Sequence, residues 1–171
     1  AMAVAGGIEK TTGLECKIKW PNDIVVHGKK VCGILTEMST QMDYINYIVI
    51  GIGINVQNES FPEEIREVAT SLRIESGKKQ KRAAIIEAVW EEFEKYYDIY
   101  LKTEDMQGLV GEYDQKLANM NKQVRVLDPK DPYEGTARGI TPKGELIVDT
   151  WEARKLVSSG EVSVRGLYGY V

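Results

Sequence analysis

The sequence has few of the residues that build metal centres, disulfide scaffolds and histidine-based active sites. Its 171 residues include two cysteines and one histidine. Cys16 and Cys32 show neither metal-ligand spacing nor a redox pair, so we expect two reduced thiols in the core. The single histidine, His27, argues against a histidine-based catalytic triad or a histidine metal cluster.

The sequence also lacks an apolar run of about 18 residues and a secretory leader, which predicts a cytoplasmic protein without a membrane span. The net charge is −4. Neither half of the chain is a basic nucleic-acid binder, so we expect no DNA binding by these residues. A Walker A lysine motif is absent, and Val56 breaks the dinucleotide-binding glycine pattern.

What is present predicts an α+β fold with a mixed, mainly antiparallel sheet and packed helices. Strands are predicted at 16–20, 24–27, 30–38 and 44–56, with a turn at 28–29 and polar breaks at 21–23 and 41–43. Helices are predicted at 1–12 before a Gly13 cap, at 82–100 and at 106–117. The nearly continuous apolar run from Ile48 to Ile54 predicts a central strand covered on both faces.

The pattern changes after Asn121 to short strands separated by Asp-Pro, Pro-Lys-Gly and Ser-Gly turns. The predicted strands are 124–127, 133–140, 145–149, 154–157 and 162–165. Five short strands in about 45 residues indicate a small barrel, which removes sheet edges by closing on itself. We therefore predict two domains, 1–120 and 121–171.

The string Lys19-Trp20-Pro21-Asn22-Asp23 runs from a strand directly into a turn. One interpretation is structural: Pro21 sets the turn, Asn22 and Asp23 bond to nearby backbone, and Lys19 is solvated. The other is that the turn directs the Lys19 ammonium into a site for phosphate or carboxylate.

Three glycines interrupt otherwise ordinary strands. Gly33 lies inside the string Lys30 to Glu37, where a glycine marks a bulge or a close backbone or ligand approach. Gly51 and Gly53 are two residues apart and share one strand face with Asn55. That bare face suits either a flat ligand or a closely packed helix.

Taken together, KWPND, KVCGILTE and YIVIGIGINV, in this order and at these spacings, resemble the biotin protein ligases. The later strings Ala69 to Leu72 and Gly160 to Gly166 are similar to that family's later segments. The resemblance implies a class II aminoacyl-tRNA synthetase/biotin ligase-like catalytic domain followed by an SH3-like barrel.

The resemblance also implies a reaction. Biotin attacks ATP to give biotinyl-5'-AMP, which a lysine of a biotin carboxyl carrier protein then attacks. Lys19 matches the essential lysine and would contact both biotin and ATP. Gly33, Ile34 and Leu35 would line the biotin pocket, and Asn55 and Val56 the ATP region. Mg²⁺ is expected with ATP, although its ligands are not assigned and Glu37 is only a guess.

In this family a Gly-Arg-Gly-Arg type biotin-binding loop and, in bifunctional members, a winged helix precede the region that these residues match. We therefore expect a C-terminal portion that is weakly active or inactive alone. Two alternatives stay open: a lipoate-type acyl ligase, and a non-catalytic binding or dimerising module. A homodimer through the sheet edge is a further expectation.

Overall fold

A computed structural model describes residues 1–41, 44–129, 131–159, 163–167 and 170–171. The fold is mixed α+β with two antiparallel sheets. In chain order the elements are α1 (Met2–Thr12), β1 (Lys17–Lys19), β2 (Asp23–Val26), β3 (Lys29–Gln41), β4 (Tyr44–Ile54), α2 (Leu72–Ser76), α3 (Arg82–Thr103), α4 (Val110–Lys116), β5 (Gln123–Leu127), β6 (Tyr133–Ile140), β7 (Leu146–Asp149), β8 (Arg154–Val157) and β9 (Ser163–Gly166).

Helix α1 forms as its apolar spacing predicts and ends at Gly13, whose φ of 75° is the left-handed conformation of a C-cap. Its apolar face, which includes Val4 and Ile8, is buried. A Cβ atom at Gly7 would lie 2.7 Å from the Val89 backbone of α3. The glycine therefore permits the close approach of α1 and α3, which forms the helix layer of the core.

The first sheet has the order β1-β2-β3-β4, with every pair antiparallel. The β2–β3 turn is at His27 and Gly28, with φ of 49° and 79°. It lies one residue before the predicted turn, and Lys29 already belongs to β3. Ile18, Ile24 and Cys32 are cross-strand neighbours and fully buried, so this sheet face carries the core.

The prediction of a central strand covered on both faces is wrong for β4. In the described part of the chain, β4 is an edge strand paired with β3 alone. Ile48, Val49, Ile50 and Ile52 are 44–53% exposed, so both of its faces are open. An apolar run indicates that a strand favours burial. It does not determine whether another strand or helix packs against that strand.

Helix α3 spans 22 residues and extends beyond the predicted 82–100. Helix α4 begins at Val110 rather than at residue 106. Before it, the Met106 carbonyl accepts from the amides of both Leu109 and Val110, so the chain makes a turn that leads into the helix. The side chain of Glu112 in α4 accepts a hydrogen bond from the Tyr96 hydroxyl of α3.

The second sheet has the order β8-β7-β6-β5-β9. Its strands follow the predicted segments within about a residue; position 162 of the last predicted strand lies outside the described residues. Within the described ranges β8 and β9 are the two edges of this sheet. Closure into a barrel therefore stays a prediction.

The two sheets are joined by specific contacts. The Trp20 indole N–H donates to the Gly144 carbonyl at 3.0 Å. Leu117, just after α4, pairs in parallel with Ile18, which continues the first sheet beyond β1. No helix in the part of the chain described here is long and apolar enough to cross a membrane.

Candidate active site

Four residues form one row across the first sheet. The strand register places Lys19 opposite Asp23, Asp23 opposite Gly33, and Gly33 opposite Gly53. Directly opposed residues project to the same face. This face, which we call the glycine face, lies opposite the face packed against the helices, so the row places one cation and one carboxylate beside two residues without side chains.

Lys19 is the buried cation of this row, with 8% of its surface exposed. Its ammonium lies 4.3 Å from the centre of the Tyr170 ring. Burial lowers the pKa of Lys19 below its usual range; Asp23 opposes that shift, and the nearby Lys30 and Arg165 add to it. Lys19 makes no ion pair within the described residues, so its N–H groups are available to an anionic ligand.

Asp23 has both carboxylate oxygens occupied. Oδ1 forms an ion pair with the Lys30 ammonium at 2.5 Å. Oδ2 accepts a hydrogen bond from the Tyr170 hydroxyl. Each oxygen thus has a partner of its own, whereas Asp23 and Lys19, although neighbours in the strand register, form no ion pair in the described residues.

The glycines of β4 leave bare backbone on this face, whereas the Lys30 side chain lies over Gly33, with its Nζ 3.0 Å from the position that a Cβ atom would take. Gly51 is opposite Leu35, which extends the glycine face along β3 and β4. A Cβ atom at Gly53 would meet only the Gly33 carbonyl at 3.7 Å, an ordinary contact. The fold therefore does not itself require glycine at position 53, and a flat ligand could rest there against backbone.

The three residues predicted for the biotin pocket lie on two faces. Gly33 and Leu35 belong to the glycine face, whereas Ile34 points to the opposite face and lines an apolar groove between the sheet and the helices. The backbone of Ile34 is fixed by Asn22: its amide donates to the Asn22 carbonyl, and its carbonyl accepts from Asn22 Nδ2 at 2.7 Å. Asn22 is thus the turn residue that aligns β3.

The two residues predicted for the ATP region lie at the end of β4. Asn55 Nδ2 donates to the Thr70 carbonyl at 3.1 Å, and its backbone carbonyl accepts from the Leu72 amide. Val56 is buried, and its carbonyl accepts from the Arg73 amide. Both residues anchor the start of α2 next to the sheet.

The two thiols are not reactive groups at this site, and the described residues hold no cluster of metal ligands. Cys16 and Cys32 are free and buried, and burial raises the pKa of each to about 12, so both stay protonated at neutral pH. Across the described ranges no three His, Cys, Asp or Glu side chains converge as metal ligands. Glu37, the candidate Mg²⁺ ligand, is exposed.

Sequence reasoning predicted Lys19 and the glycines as site residues but did not predict the groups that surround the lysine. Asp23 was interpreted as a turn residue, and Lys30, Arg165 and Tyr170 were not assigned to the site. Tyr170 is separated from Asp23 by 147 positions. No local pattern signals a contact of that range, since only the packing of the second sheet beside the first brings it about.

Two family models match the chain. Residues 1–55 match "Biotin/lipoate A/B protein ligase family", and residues 120–165 match "Biotin protein ligase C terminal domain". The bifunctional ligase/repressor BirA of Bacillus spizizenii is 37% identical over 96% of this chain and 51% of that protein. The biotin--[acetyl-CoA-carboxylase] ligase of Mycobacterium tuberculosis is 32% identical over 86% of this chain.

Solved structures of the Aquifex aeolicus biotin protein ligase are similar throughout. The apo form has a TM-score of 0.86 and 30% identity, covering 96% of this chain and 72% of that one. The complex with biotin and ATP has a TM-score of 0.82. The chain spans about half the length of the curated relatives it matches. By sequence and by fold, this chain belongs to the biotin protein ligase family.

Proposed function

We propose that this chain contributes to an ATP-dependent ligase that activates biotin as biotinyl-5'-AMP and transfers it to a lysine of a biotin carboxyl carrier protein. The observation that carries the proposal is the buried Lys19 ammonium, which has no ion-pair partner in the described residues and stands beside the glycine face.

The chemistry gives Lys19 a defined role. Attack of the biotin carboxylate oxygen on the α-phosphorus of ATP forms a carboxylate–phosphate bond and breaks the bond to pyrophosphate. Negative charge then gathers on the non-bridging oxygens of the α-phosphate. A cation at this point, removed from water, stabilises the transition state by several kcal/mol. Lys19 supplies that cation. Mg²⁺ would enter the site together with ATP.

The ligand positions follow from the same face. Biotin would rest on Gly33 and Leu35, with the Ile34 backbone holding the strand in place. The adenylate would extend toward Asn55 and Val56 at the end of β4. A bare backbone floor beside an apolar side chain suits a fused ring system that needs both apolar walls and backbone polar groups.

The finer architecture is part of the proposal. Residues 1–120 would form the catalytic portion and residues 121–171 an SH3-like barrel, which is supported by the change of sheet after α4. A second copy would pair along β4, because this edge strand exposes apolar side chains on both faces. The protein would act in the cytoplasm.

Two other functions have an observation in their favour. One of the matching family models includes lipoate ligases by its description, so a lipoate-type acyl ligase shares that support. The open edge and faces of β4 also suit a non-catalytic module that binds or dimerises. Ligand binding separates the three functions.

The test is calorimetry of the 171-residue chain with biotinyl-adenylate and with lipoyl-adenylate. We expect biotinyl-adenylate to bind in preference to lipoyl-adenylate. Lys19→Ala should weaken binding by about tenfold to a hundredfold, the cost of one charged hydrogen bond. Lys17→Ala is the control, since Lys17 lies in the same strand but is paired with Glu15.

A preference for lipoyl-adenylate would favour the lipoate function. Unchanged affinity in Lys19→Ala would refute the role of the lysine. A folded wild-type chain that binds neither adenylate would support the non-catalytic module.

A further inference from the structure

We propose that Tyr170 is a positioning residue for Lys19, and that its hydroxyl keeps Asp23 from forming an ion pair with that lysine. This inference rests on the proposed function, in which the Lys19 ammonium binds the α-phosphate. Tyr170 lies beyond β9, so the polypeptide that leaves the second sheet would tune the cation of the first.

Tyr170 contacts two neighbours in the row at once. Its ring faces the Lys19 ammonium at 4.3 Å, inside the range of about 6 Å at which a cation and an aromatic ring attract each other. Its hydroxyl donates to Asp23 Oδ2. Tyr170 is half-buried, and burial together with the bond to Asp23 raises its pKa, so the hydroxyl keeps its proton.

The Tyr170 hydroxyl affects Lys19 through Asp23, which lies next to both residues. The register places Asp23 directly opposite Lys19, the usual position for a cross-strand ion pair. Oδ1 already forms an ion pair with Lys30, which makes Oδ2 the oxygen with more open lone pairs for a second partner. Tyr170 takes that oxygen. The Lys19 N–H groups are consequently not used by Asp23 and stay available to a ligand phosphate.

The ring supplies a different effect. A buried lysine without a carboxylate partner tends to lose its proton, because burial penalises the charged form. The negative face of the tyrosine ring attracts the ammonium without donating or accepting a hydrogen bond. Lys19 is therefore kept charged and oriented while its N–H groups remain open. Lys30 and Arg165 are the other cations near it, and Asp23 is the nearby anion.

The proposal predicts opposite changes in the pKa of Lys19 and in its ligand affinity for Tyr170→Phe. The phenylalanine keeps the ring but releases Oδ2, which Lys19 can then reach. An ion pair raises the pKa of a lysine, so we expect the pKa of Lys19 to rise by about one unit. Affinity for biotinyl-adenylate should fall about tenfold, since the ammonium is now engaged by Asp23.

The measurement of pKa is competitive labelling of amines with acetic anhydride at a series of pH values, followed by mass spectrometry of the Lys19 peptide. Calorimetry with biotinyl-adenylate gives the affinity. The matched control is Tyr133→Phe, since the Tyr133 ring also lies beneath a lysine, Lys155, at 4.0 Å in the second sheet. A merely structural role of Tyr170 would not change the pH midpoint of Lys19 labelling.

The outcomes separate the two proposals. If Tyr170→Phe leaves the midpoint of Lys19 labelling where it was, or lowers it, the positioning role is overturned. A gain in affinity also overturns it, because Tyr170 would then be obstructing the site. Should Lys19→Ala bind biotinyl-adenylate as well as the wild type while the midpoint shifts as expected, it is the proposed function of Lys19 that fails.

Discussion

At the scale of residues, the candidate site depends on the missing side chains of two glycines as much as on the ammonium group of Lys19. Gly33 and Gly53 are directly opposed, and neither contributes a side chain to the face that Lys19 and Asp23 share. A glycine inside a strand costs about 0.5–1 kcal/mol relative to alanine. Two opposed glycines therefore destabilise the sheet, and in the proposed function they leave room for a ligand on this face.

Gly53→Val tests whether the glycine face serves a ligand. The Cβ atom of a side chain at this position meets no close neighbour, since the nearest atom is the Gly33 carbonyl oxygen at 3.7 Å. We expect a thermal unfolding midpoint equal to or above that of the wild type, and affinity for biotinyl-adenylate reduced at least about tenfold, the lower end of the cost of blocking a packed contact.

Ile52→Val is the control for this variant, since Ile52 is the preceding residue in β4 and faces the opposite groove. Equal losses of affinity in both variants would show that the strand as a whole, rather than the glycine face, was disturbed. Full binding by Gly53→Val would place the ligand elsewhere.

At the scale of elements, the short helix α2 holds the end of β4 in place although it has only five residues. Ser71 caps it: Oγ accepts from the Ile74 amide at 3.1 Å and donates to the Asn58 carbonyl at 2.6 Å. The next residue, Leu72, donates its amide to the Asn55 carbonyl. The cap thus holds the end of β4, where Asn55 and Val56 lie.

Ser71→Ala should reduce the free energy of unfolding by about 2 kcal/mol, because the cap is lost and two backbone groups lose their partner in a fully buried position. Urea unfolding followed by circular dichroism measures this change. Ser60→Ala, at an exposed serine in the same connection, should stay within about 0.5 kcal/mol of the wild type. Equal stability of the two variants would contradict the role given to the cap.

The spacing of apolar residues was enough to predict two of the helices. Helices α1 and α3 were predicted from apolar spacing because each buries one continuous stripe against the other. Strand β4 was located correctly but its surroundings were not. Its apolar residues specify a strand that favours burial, whereas its place at the edge depends on which strands pair with it.

At the scale of the whole molecule, two sheets share one candidate site. The first sheet supplies Lys19, Asp23 and the glycines; the segment after β9 supplies Tyr170. The contact of Trp20 with Gly144 fixes one sheet against the other next to the lysine. The Trp20 side chain of the KWPND string therefore serves the contact between the sheets.

Association of two copies of the chain can be tested by a substitution in β4. If a second copy pairs along β4, Ile48→Lys should produce a monomer, because a charged side chain in an edge strand opposes pairing. Analytical ultracentrifugation of the wild type and the variant measures the change. Ile86→Lys, at an exposed position of α3, is the control and should leave the association unchanged. A wild-type chain that sediments as a monomer at high concentration would rule out the pairing.

The sequence by itself predicted the family, the strands and three of the four helices, and it made Lys19 a candidate, because each of these depends on residues that are close together in the chain; the short helix α2 was not predicted. Periodicity of 3.6 or 2 residues is local, and so are the three strings that carry the family resemblance. Only the tertiary structure decided that Asp23 is shared by Lys30 and Tyr170, that Ile34 faces away from Gly33 and Leu35, and that β4 is an edge. These facts depend on strand register and on packing between segments up to 147 positions apart, which no local pattern encodes.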